Sequence, residues 1–140
     1  GSPVLLDFGS ARQALSEVTL APTYTPGFAP PEQYIDRKHL GPWSDIYSIG
    51  ASMYACLQRA SQMAANIRLN EDTLVTATQL GKQIYSETLL SIIDDCMHID
   101  YLQRPQSVFS LQKKMIEVHV ADDARGSLVD KIIKVLTKPL

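Results

Sequence analysis

The 140-residue chain has two cysteines, one tryptophan and almost no net charge, with 13 Lys+Arg against 15 Asp+Glu. Cys56 and Cys96 lie too far apart for metal spacing and are too few for a disulfide framework, so they read as buried reduced thiols in a cytosolic protein. The missing basic excess excludes the broad positive field by which proteins hold nucleic acid. No apolar run approaches the roughly 18 residues of a membrane-spanning helix, and no signal peptide is expected. A phosphate-cradling Gly-x-Gly-x-x-Gly is also missing. What remains is 45% hydrophobic and 20% charged, a balance that argues for a packed domain rather than disorder.

Gly1-Ser2 reads as an expression scar and is set aside. Residues 3–6 form a short apolar run, expected as a buried strand, that ends in Asp7-Phe8-Gly9. From 10 to 42 the chain carries Pro22, Pro26, Gly27, Pro30, Pro31, Gly41 and Pro42, which preclude a long helix. Tyr24, Phe28 and Tyr34 in that stretch favour an ordered, functional loop with one helical turn over 31–34. From 43 to 58, Ile46, Ile49, Met53 and Leu57 repeat at helical spacing. Tyr47, Ala51, Tyr54 and Cys56 make the other faces apolar, which predicts a central core helix. Residues 60–72 look irregular, and 73–80 are expected as a short helix ending at Gly81. Ser86 is placed as the cap of a helix with Leu89, Leu90, Ile93 and Met97 on one face. After Pro105 a further helix is expected to turn Val108, Leu111, Met115 and Val118 inward. A last helix over 127–137 carries Leu128, Val129, Ile132, Ile133 and Leu136 on one side and Lys131, Lys134 and Lys138 beside them. Docking on the helical core is the preferred reading of that stripe, ahead of a dimer or juxtamembrane helix and of a membrane-surface anchor.

Four ordered stretches carry chemistry: Leu6-Asp7-Phe8-Gly9-Ser10-Ala11-Arg12, Thr25-Pro26-Gly27-Phe28-Ala29-Pro30-Pro31-Glu32-Gln33-Tyr34, Gly41-Pro42-Trp43-Ser44-Asp45-Ile46-Tyr47-Ser48-Ile49-Gly50, and Arg104-Pro105-Gln106-Ser107. In this order the chain resembles the second half of the protein kinase signature, and specifically the bacterial eukaryotic-like serine/threonine kinases. The resemblance covers residues 3 to about 118. It implies a mainly α fold, the large C-terminal lobe of a kinase: a helical bundle around a central buried helix, with a remnant strand and a long activation-segment loop at its N-terminal end. The implied division is 3–120 as a partial lobe (3–34 metal-binding turn and activation segment, 43–58 central helix, 86–118 packing helices) and 121–140 as an extension helix.

By the same resemblance Asp7 ligates Mg²⁺, with Phe8 and Gly9 completing the nucleotide-side turn. Taken alone, without the downstream motifs, Asp7 reads rather as a carboxylate that merely caps a turn after a strand. Thr25 matches the threonine of the substrate-docking loop that bonds the catalytic aspartate. Thr19 and Thr23 are then the candidate phosphosites, against the plain alternative of solvated loop hydroxyls. Glu32 and Arg104 match the family's buried ion pair, where the alternative is two unrelated surface charges. Asp45 matches the residue that holds the catalytic-loop backbone, although an acid at a helix start also serves free N–H groups. Trp43 is expected beside it as a core wedge, and Ser44 as a helix cap. Ser52 and Cys56 depart from the family, which has larger apolar residues there. His39, His98 and His119 share no metal or acid–base spacing.

The strand lysine with its glutamate partner and the catalytic loop are not in the chain either. The sequence is therefore expected to be part of a kinase that moves the ATP γ-phosphate to protein serine or threonine. The chain itself should be inactive, and Mg²⁺ and ATP should not bind it tightly. A non-catalytic helical interaction module and a pseudokinase lobe are the alternatives. Expected partners are protein substrates and the missing N-terminal lobe, with no nucleic acid. Self-association or segment exchange through residues 3–30 would cover the apolar surface left open. A cytoplasmic protein, tethered to membrane only through regions outside this chain, fits the composition.

Overall fold

A computed structural model describes residue 4, residues 24–60 and residues 62–117. The described residues are mainly helical and include no strand. Of the apolar run at 3–6 only Val4 is among them, and it is exposed. The Asp7–Gly9 turn, Thr19, Thr23, Val118, His119 and the helix expected over 127–137 lie outside the described residues.

The breaker-rich stretch yields one helical turn, α1 (Pro31–Tyr34), with proline at its start, where a missing N–H costs nothing. A 3₁₀ turn (Arg37–His39) is closed by Asp36, whose carboxylate accepts from the Lys38 amide at 3.0 Å. The central helix, α2, runs Pro42–Gln58. Gly41 is its N-cap. The reciprocal bonds come from Ser44 one turn inside: its amide donates to the Gly41 carbonyl at 2.8 Å, and its hydroxyl accepts from the Gly41 amide at 3.3 Å. Ser44 thus secures the helix start from position N3 rather than as the cap residue. α2 ends at Arg59 in the left-handed conformation, φ 56°, a place that usually suits glycine.

α2 is not buried on every face. Ile46, Tyr47, Gly50, Ala51 and Tyr54 form the buried stripe, whereas Asp45, Ile49, Ser52 and Cys56 lie on an exposed one. The apolar residues on all sides made the sequence read as a fully enclosed helix, but the neighbouring helices cover only one side of it.

The interval after α2 is more ordered than its composition suggests. α3 (Ala65–Arg68) interrupts it, and α4 (Ala77–Gly81) begins only after an extended stretch rather than at residue 73. Thr76 caps α4 through its hydroxyl, and both Asp94 carboxylate oxygens accept from its first amides, Ala77 at 2.6 Å and Thr78 at 3.1 Å. Asp94 belongs to α5 (Glu87–Cys96), so the two helices are joined through a carboxylate on free N–H groups. Ser86 caps α5, accepting from the Leu89 amide. A second 3₁₀ turn (Tyr101–Gln103) precedes a helix over 108–117, here α6.

α5 packs along α2, and α4 packs on both. One core cluster joins Tyr47, Ala51 and Tyr54 of α2 to Leu90, Ile93 and Met97, with Phe28 and Tyr34 against it from the loop side. A second joins Ile46 to Ile92, Cys96 and Leu111. Each fully buried aliphatic side chain contributes about 1.5–3 kcal/mol. Gly50 permits the approach of the two long helices, since a Cβ there would lie 2.5 Å from the Cys96 Cβ. In α6 only Leu111 is buried. Val108 and Met115, expected to face inward, are exposed, because α5 meets α6 along the narrower line of Leu111. Among the described residues no helix is long and apolar enough to cross a membrane.

Candidate functional site

Glu32 and Arg104 are 72 residues apart in sequence and meet in the interior. Arg104 is brought there by the 3₁₀ turn before it, which Asp100 caps by accepting from the Leu102 amide at 2.9 Å. Arg104 Nη1 donates to Glu32 Oε1 at 2.8 Å and Nη2 to Oε2 at 3.1 Å, a fork-on-fork pair with side-chain exposures of 0% and 4%. The other three N–H groups go to backbone: Nε to His98 O at 2.7 Å, Nη1 to Trp43 O at 3.3 Å, and Nη2 to Ile99 O at 3.1 Å. The guanidinium's five donors are thereby all used. Ser44 Oγ donates to Glu32 Oε1 at 2.7 Å, so the start of α2 is tied to the same carboxylate. The Arg104 guanidinium carbon sits 4.9 Å from the centre of the Tyr47 ring.

A second arginine reaches the other end of that ring. Arg68 Nη1 donates to the Tyr47 hydroxyl at 3.1 Å and to Met97 O at 2.9 Å, while Nε and Nη2 clasp the two Asp72 oxygens at 2.9 and 2.8 Å. Hydrogen bonding from Arg68 holds the Asp72 carboxyl below its ordinary range. Burial pushes the Tyr47 phenol up, against the pull of Arg68. Sequence reading passed over this cluster, because Arg and Asp four residues apart look like an ordinary surface pair. Arg68 and Asp72 also line a cavity of about 240 Å³ with Leu74, Asp94 and Met97.

The Thr25–Ala29 turn is closed by the Phe28 and Ala29 amides, both donating to Thr25 O, at 3.0 and 3.1 Å. Thr25 itself is exposed. Gly27 takes φ +88°, open to glycine at little cost, and its carbonyl accepts from buried Gln62 Nε2 at 2.6 Å. Gln62 carried no signal in the sequence, since a lone polar residue in an irregular stretch reads as solvated.

Of the remaining expected site residues, Trp43 joins the Arg104 bonds only through its backbone carbonyl, and Asp45 stands apart from them. Asp45 is exposed and has no hydrogen-bond partner among the described residues. Trp43 is a half-buried surface aromatic rather than a core wedge. Its indole donates to His39 O at 2.8 Å, and Tyr101 lies between it and His39, with ring centres 5.7 and 5.5 Å away. Its position in the first turn of α2 aims the ring along the surface. Among the described residues no three His, Cys, Asp or Glu side chains gather as metal ligands.

The two thiols differ. Cys56 is exposed, contrary to the sequence expectation, because it falls on the open stripe of α2, whereas Cys96 is buried. Burial, aided by Asp95, pushes the Cys96 thiol up to about 11. The folded protein therefore keeps this proton at a pH where the unfolded chain, near 8.5, has begun to lose it. The resulting stabilisation is complete below the unfolded value and fades as pH rises toward 11. At pH 8, iodoacetamide should label Cys56 first and Cys96 only after denaturant is added. Equal labelling of both in the intact mass would contradict the burial.

No family model matches the chain, and no curated protein matches it. Among solved structures, "PpkA-294 apo form", a bacterial serine/threonine kinase domain, is similar to it at 31% identity with a TM-score of 0.59. The chain has a kinase-like fold. The similarity covers 64% of this chain and 31% of that one, so the chain spans about a third of the matched domain. The described residues are mainly helical, as the resemblance implied.

Proposed function

We propose that this chain is the C-terminal-lobe portion of a serine/threonine protein kinase, running from the Asp-Phe-Gly turn through the activation segment and the helices that support it. The single observation that carries the reading is the buried Glu32–Arg104 fork, set between the Thr25–Tyr34 stretch and α2 in a chain similar to a kinase domain. Enclosing two charges is costly unless they are paired and fully hydrogen-bonded, as these are, and the backbone they hold is the end of the proposed activation segment.

Within this reading Glu32, Arg104 and Ser44 hold the segment's end rigid, and Thr25 lies in the turn that seats the protein substrate. Asp7 is the proposed Mg²⁺ ligand, with Phe8 and Gly9 shaping its turn. Magnesium-bound ATP supplies the γ-phosphoryl group, and the small lobe and catalytic loop come from outside this chain.

The test is transfer of label from γ-labelled ATP to a serine/threonine protein by the full-length protein, beside its Asp7→Ala variant. Transfer that disappears in the variant is expected, and the isolated 140-residue chain should show none. No transfer by the unaltered full-length protein would favour the non-catalytic interaction module or the pseudokinase lobe. Transfer that survives Asp7→Ala would remove Asp7 from its assigned place.

A further inference from the structure

We propose that Gln62 is a positioning residue that clamps the Thr25–Ala29 turn to α2 and so sets the seat for a peptide bearing the phosphoacceptor hydroxyl; the substrate half of this rests on the kinase reading above. One side-chain amide bridges two separated backbones: Gln62 Nε2 donates to Gly27 O at 2.6 Å and to Ala51 O at 3.0 Å, and Gln62 is 6% exposed. Both partners are carbonyl oxygens, so the NH₂ end must face them. Oε1 is then left buried with no donor among the described residues. Leaving an acceptor unpaired is destabilising, so the side chain's burial here is explained by its two donations.

Without Gln62 the turn is closed largely on itself, by the Phe28 and Ala29 amides on Thr25 O. Glu32 anchors the downstream end to Ser44 at the start of α2. Gln62 anchors the upstream end to Ala51, seven residues further along, or about 10 Å on the same helix. The turn also favours glycine here: φ +88° strains any other residue, and a Cβ on Gly27 would crowd the Gln62 carbonyl oxygen at 3.0 Å. Two anchors on one rigid helix fix both the position and the tilt of the turn, whereas the ion pair alone would fix only one end.

Two measurements test this. In the full 140-residue chain, Gln62→Met keeps the length and loses the donors. Amide exchange at Phe28 and Ala29 should rise about tenfold, at least five times more than at Ile93 in the core. Gln62→Ala serves as a second variant if methionine perturbs the fold. An equal rise at all three amides would mean general destabilisation and overturn the clamp. In the full-length protein, KM for a serine/threonine peptide should rise about tenfold while KM for ATP stays within twofold. An unchanged peptide KM in an active enzyme overturns the substrate role alone. An unaltered protein with no transfer overturns the kinase reading and the substrate role together, and the exchange data still decide the clamp.

Discussion

Replacing Arg104 with methionine should destabilise the fold by about 3–5 kcal/mol, much of the 5–15 kcal/mol that usually holds a domain together. The loss has two parts. Among the described residues the Glu32 carboxylate would stay buried with only the Ser44 hydroxyl to bond it, and the carbonyls of Trp43, His98 and Ile99 would each lose a donor. Arg104→Lys should recover only part of this. An ammonium offers three donors from one point, whereas the site presents partners around a planar fork. Glu32→Met should cost about as much as Arg104→Met, since it leaves the guanidinium buried and uncompensated. The double variant should cost clearly less than the sum of the two, which marks a direct interaction. Urea unfolding followed by far-ultraviolet circular dichroism reads the parent and the four variants. A midpoint for Arg104→Met that matches the parent would show that the pair does not hold the fold.

Gly50→Val should cost about 3 kcal/mol, the second largest effect, through crowding rather than lost charge. A Cβ at residue 50 would lie 2.5 Å from the Cys96 Cβ and 3.2 Å from Met97 Cγ, so α2 and α5 would have to separate. Neither atom sits at the far end of a flexible side chain, so nothing can swing aside. Gly50→Ala should be milder, because alanine returns up to about 1 kcal/mol of helix propensity. The colliding partner is a Cβ, so a Cys96→Gly background should relieve the alanine variant and a Cys96→Ala background should not. Thermal unfolding of the four combinations measures this. Equal behaviour in the two backgrounds would mean that the clash is absorbed elsewhere.

Local signals were the readable part of this sequence. Proline spacing placed the turn over 31–34, and Ser86 placed the start of α5. Glu32 and Arg104 could be coupled only through a resemblance, since nothing local links residues 72 apart. Features set by what lies across a helix were harder to read. Apolar residues encircle α2, but burial depends on which neighbours arrive, and the stripe from Asp45 to Cys56 faces none of the described helices. The same limit hid Gln62 and Arg68. Both are polar residues whose partners are backbone groups or side chains on other elements, and a polar residue's environment leaves no periodic trace.

The chain's one tryptophan stands beside the most enclosed charge among the described residues. Trp43 presents its ring to Tyr101 at the surface while its carbonyl accepts from Arg104. Its fluorescence is therefore a built-in optical reporter of the Arg104 neighbourhood, free of competing indole emission within the chain. His39 lies at the far side of Tyr101 in the same stack. Events at the start of α2, including those caused by a partner settling on the neighbouring turn, can be followed by light without attaching a dye.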